Sequence, residues 1–143
     1  MLKILIAPMM SCLITTTPTI NQLNNYLICV NLTEQIQVVD KWKPLVEKYF
    51  KKEDINKSLL IIYCESTGYS NAVGKNTNGT EDRGLWQFND NTWKWLTPKL
   101  NIKHNRFNAE VSTQVASWLI YNDGWHHWNS SKHCWKDYDK IRN

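Results

Sequence analysis

The chain has 143 residues, with 17 Lys+Arg against 13 Asp+Glu for a net charge of +4. That length suffices for one ordinary domain with its own core and excludes a miniature fold that needs metal or dense disulfides. The basic residues are scattered, which argues against nucleic acid and leaves an anionic surface such as cell wall or acidic lipid as the partner class. Eight Trp residues are a further clue, since indole faces stack on sugars as readily as they fill cores.

The N-terminus carries Lys3 and an apolar run from Ile4 to Ile14. The run is too short to cross a bilayer and suits a secretion signal, so residues 4–14 are read as a secretion or membrane-anchoring segment. The rival is an apolar first segment of the fold. Residues 15 to 35, rich in Thr and Asn, read as a linker. Segment 1–35 is thus set apart from an expected domain over 36–143.

From Val39 and Trp42 through Leu45, Val46, Tyr49 and Phe50, apolar residues recur at helical spacing, with Asp40 as the expected cap and Pro44 in the first turn. Asp54 is expected to cap the next helix, apolar from Leu59 to Tyr63 and stopped at Gly68. Glu65 falls in its last turn on the face of Ile61 and Ile62, where lost hydration and the helix dipole raise a carboxyl toward general-acid use. The plain rival is a glutamate turned to solvent.

Asn78-Gly79 predicts a hairpin turn that carries Asp82 back toward Glu65, and Gly84 predicts a tight backbone approach. Asp82 could otherwise be a turn residue paired with Arg83 or Lys75. Short helices are expected from Asn91 to Leu96 and from Asn108 to Asn122, followed by an aromatic tail with Trp125, Trp128 and Trp135.

Cys12, Cys29, Cys64 and Cys134 form no CxxC. A Cys64–Cys134 bridge would tie the tail to the helix of Glu65 in an oxidising compartment; free buried thiols are the alternative, and spacing does not decide. His126, His127 and His133 match no ligand spacing with Cys134, and adjacent histidines do not easily face one ion, so neither metal nor cofactor is expected.

Glu65-Ser66, the Asn-Thr-Asn-Gly-Thr turn, Asp82, Gly84-Leu85-Trp86-Gln87-Phe88-Asn89 and Trp93 together resemble the glutamate-to-aspartate region of c-type lysozymes. Glu-Ser and Gly-Leu-x-Gln are shared with soluble lytic transglycosylases. The segment from Asn122 to Trp128 is similar to the tryptophan-bearing stretch lining that cleft. At most two disulfides, against four in c-type members, imply a phage or bacterial kind.

The resemblance implies an α+β, mainly helical lysozyme-like fold with a small β-hairpin beside the cleft. It implies a monomeric enzyme, secreted, periplasmic or lysis-associated, that cleaves the β-1,4 bond between N-acetylmuramic acid and N-acetylglucosamine in peptidoglycan. Glu65 would be the general acid and Asp82 the ionised nucleophile or stabiliser. Gln87 and Asn89 are expected to offer polar atoms to the cleft, and Trp93 and Trp125 to stack on sugars. A transglycosylase using Glu65 alone, a non-catalytic glycan-binding module and a membrane-active basic protein are the alternatives.

Overall fold

The structure is a computed structural model that describes residues 3–6 and 11–141. Strands β1 (Lys3–Ile6) and β2 (Ser11–Ile14) pair antiparallel. Residues 7–10 of the expected apolar run, Pro8 among them, lie outside the described residues. No helix among the described residues is long and apolar enough to cross a membrane.

The expected linker is corrected by helix α1 (Ile20–Val38). Thr19 and Gln22 open it with a reciprocal cap: the Thr19 hydroxyl accepts from the Gln22 amide and the Thr19 amide donates to Gln22 Oε1. Its Leu32 and Ile36 are buried in the core, and Cys29 bridges to Cys12 of β2. Burial of those two residues and the bridge hold a helix whose Asn-rich surface alone gives little reason to form one.

A 3-10 turn at Asp40–Trp42 precedes α2 (Lys43–Tyr49), so the helix starts later than Asp40, with Pro44 in its first turn where no intrahelical amide partner is lost. Helix α3 (Ile55–Ser66) is the axis of the molecule: Leu59, Leu60, Ile61 and Ile62 are all fully buried, and α1, α2 and α6 pack around it. Asp54 precedes α3 without a side-chain cap, because its carboxylate accepts from the Tyr121 hydroxyl instead.

Strands β3 (Val73–Lys75), β4 (Glu81–Arg83) and β5 (Phe88–Asn89) form an antiparallel sheet in that order. The Asn78-Gly79 hairpin joins β3 to β4, with Gly79 left-handed at φ 82° and Gly74 paired with Asp82. Helices α4 (Asp90–Lys99), α5 (Ala109–Asp123) and α6 (Lys132–Ile141) complete an α+β, mainly helical fold with a small sheet, as expected.

Candidate active site

Glu65 stands in the last turn of α3, which ends because Thr67 and Gly68 take left-handed φ of 51° and 80°. Gly68 lies against Val39 and the Trp42 indole, whose Nε1 donates to the Gly68 carbonyl at 2.9 Å. The Ser66 hydroxyl reaches the Leu85 carbonyl at 2.8 Å and so ties the helix end to the chain that returns from the sheet. Glu65 is thereby fixed opposite the hairpin.

The two acids line one cavity of about 170 Å³, together with Gln87, Asn89, Thr92, His127, Trp128 and Ser130. Burial, opposed by the Ser131 hydroxyl and reinforced by the Asp82 charge, pushes the Glu65 carboxyl from its ordinary 4.5 up to about 7. Ser131 opposes weakly on geometry, because its one proton already faces the Trp128 carbonyl at 3.1 Å while its oxygen accepts from Trp135 Nε1. Oxygen Oε1 of Glu65 is buried with no hydrogen-bond partner among the described residues. An orphaned acidic oxygen on a cavity wall is costly unless a ligand atom meets it.

Asp82 is held by amides, and no cation pairs with it among the described residues. Its Oδ2 accepts from Asn76 Nδ2 at 3.1 Å and its Oδ1 from Asn89 Nδ2 at 2.8 Å, while Arg83 pairs with Glu81. Thr80 closes the network: its hydroxyl donates to Asn78 Oδ1 and accepts from Asn76 and Asn89. The Asn-rich turn therefore orients the carboxylate.

Gln87 and Asn89 line the cavity, but their amide hydrogens are spent on the scaffold. Gln87 Nε2 donates to the carbonyls of Ala72 and Gly84, and Asn89 caps α4 through the Asn91 amide besides holding Asp82 and Thr80. The two expected stacking platforms pack away from this cavity. Trp93 leans on Phe88 at 5.3 Å, Trp125 packs on Phe50 and beneath the Lys57 ammonium, and neither lines this cavity. Trp128 does, anchored by its Nε1 to the Trp86 carbonyl.

His127 falls in the segment from Asn122 to Trp128 whose resemblance pointed to the cleft, whereas Thr92, Ser130 and Ser131 escaped sequence reasoning, because they reach the site from α4 and from the turn after α5. Arg106 escaped it too. Its buried guanidinium donates to the Phe88 and Glu81 carbonyls and to the Asp90 carboxylate, clamping β4, β5 and the start of α4.

No curated protein and no solved structure matches the chain significantly. Residues 44–132 match the family described as Transglycosylase SLT domain. That span covers more than half of the chain and holds Glu65, Asp82 and the three-stranded sheet. The chain belongs to the transglycosylase SLT domain family of peptidoglycan-acting proteins.

Proposed function

We propose that the chain cleaves the β-1,4 bond between N-acetylmuramic acid and N-acetylglucosamine by hydrolysis. The observation that carries this reading is a cavity in which burial raises the Glu65 carboxyl to about 7 and a second carboxyl, Asp82, is fixed by two amides. Glu65 gives its proton to the glycosidic oxygen as the bond to the sugar's anomeric carbon breaks. Asp82 meets the positive charge that develops there, and water, deprotonated by the Glu65 carboxylate, completes a reducing end. This division of labour is carried over from lysozyme by resemblance.

The family match favours a second reading, in which Glu65 works alone. Its carboxylate then takes the proton of the muramic acid 6-hydroxyl, whose oxygen closes on the anomeric carbon to give a 1,6-anhydro end without water. The two Cys–Cys bridges favour an oxidising location outside the cytoplasm in either case.

Mass spectrometry of the muropeptides released from purified sacculi separates the readings, with reducing ends expected and 1,6-anhydro ends deciding for the second. Glu65→Gln should lower release about 100-fold or more. Release at the unmutated rate would remove Glu65 as the acid, and full activity of a folded Asp82→Asn protein would remove Asp82 from the reaction.

A further inference from the structure

The turn after α5 gathers a second group of side chains beside the acids. Helix α5 stops at Asp123 because Gly124 turns to φ 98°, ψ 178°, and the chain re-enters a 3-10 turn from Trp125 to Ser131. That turn places His126 and His127 back over Asp123. We propose that Asp123, His126 and His127 form a binding site for a borderline divalent transition cation, Zn²⁺ above all, on the wall of the cleft.

One ligand atom from each of the three residues can be chosen so that all lie within 4.8 Å of one another. His127 Nε2 lies 2.6 Å and His126 Nε2 3.7 Å from Asp123 Oδ2. An ion about 2.0–2.1 Å from each donor needs tetrahedral donor separations of about 3.3 Å, which falls between those two distances. Small side-chain rotations suffice, and Asp123 and His126 are exposed enough to make them.

Adjacency of the histidines is no obstacle here. The rings lie 4.2 Å apart with a tilt of 33°, and both ε nitrogens approach the same carboxylate oxygen. An Asp123–His127 ion pair would account for one ring. The longer His126 contact at 3.7 Å brings a second imidazole to the same oxygen, and one shared cation would satisfy both rings at once.

Two imidazoles and one carboxylate are a donor set for Zn²⁺, Cu²⁺ or Ni²⁺ rather than for Ca²⁺ or Mg²⁺. Cys134 is excluded as a ligand by its bridge to Cys64. Lys99 of α4 lines the adjacent pocket with Asp123 and its charge works against a cation, but its ammonium is placed over the Trp95 and Trp118 rings at 5.4 and 5.2 Å. Because His127 also lines the cavity of Glu65 and Asp82, a bound cation would hold that part of the wall and leave a coordination position for solvent or glycan oxygen.

The test is calorimetric titration of the folded full chain with ZnCl₂, with Cu²⁺ electron paramagnetic resonance alongside. About one equivalent should bind, His126→Ala and His127→Ala should each weaken binding roughly tenfold or more, and His104→Ala should change nothing. The Cu²⁺ spectrum should show two coupled nitrogens, falling to one in either variant; thermal melts establish that the variants are folded. No uptake of Zn²⁺, or unchanged affinity in both histidine variants, would overturn the site. Binding is read directly, so the result stands apart from whether the protein cleaves peptidoglycan.

Discussion

Two carboxyl groups in one cavity behave differently because their neighbours differ. Glu65 sits on the most apolar helix and keeps one buried oxygen without a partner among the described residues, whereas each oxygen of Asp82 accepts an amide N–H. Raising Glu65 from 4.5 to about 7 has two consequences that share one cause. In the proposed role of general acid it works while protonated, so cleavage should fall as pH rises through about 7. For stability, the folded chain holds the proton more tightly than the unfolded chain between the two values. Stability is therefore full below the unfolded value and is lost as pH rises through the folded one. At about 1.4 kcal/mol per pH unit the loss is roughly 3 kcal/mol. Glu65→Gln removes that titration, so urea denaturation at pH 5 and pH 8 should show the native chain losing stability relative to the variant by about three quarters of that amount, the rest being lost below pH 5. Parallel pH profiles for the two proteins would show that Glu65 does not titrate in this range.

The hairpin that presents Asp82 depends on an element far from it in sequence. Gly84, left-handed at φ 84°, lies so close to the Arg106 carbonyl that a Cβ there would come within 2.1 Å of it, and Arg106 in turn clamps the sheet. Turn chemistry made the hairpin and the tight approach at Gly84 legible, and apolar periodicity did the same for α3 and α5. What the sequence did not show was the partner at Gly84, since a loop arginine reads as solvated until a fold buries it. Arg106→Met should cost about 3 kcal/mol or more, because the Asp90 carboxylate and two carbonyls lose their donor. Glycan cleavage should drop further than stability alone explains, since the strands that carry Asp82 and Asn89 lose their clamp. A variant with the native melting temperature would show that the clamp is dispensable.

At the scale of the whole molecule, α3 has to be held at both ends of its surroundings, and the chain does so with links between distant segments. Near its start, Lys57 pairs with Asp139 of α6 and lies between the Trp125 and Trp135 rings at 4.9 Å from each. Near its end, Cys64 is bridged to Cys134, the pairing that sequence left open, across 70 residues. The helix α1 was hidden for a related reason. The reciprocal cap at Thr19 and Gln22 was visible in principle, but the apolar residues that bury it are few, and its bridge to Cys12 is a fact of pairing, not of pattern. Chain entropy gives the Cys64–Cys134 bridge the larger effect of the two, since a longer closed loop restricts the unfolded chain more, by about 4 kcal/mol for a loop of this size. Its position also matters, because the residue after Cys64 is Glu65, the proposed acid. Replacing Cys64 and Cys134 together with Ser should therefore lower stability by roughly 2–4 kcal/mol in denaturant titration. It should also lower cleavage at temperatures where the variant is still folded, because α6 no longer braces the turn of Glu65. Replacing Cys12 and Cys29 should cost stability while leaving the rate of the folded protein unchanged, since that bridge closes a loop away from the cavity. Equal rates for both folded double variants would make the Cys64–Cys134 link a brace for the fold alone.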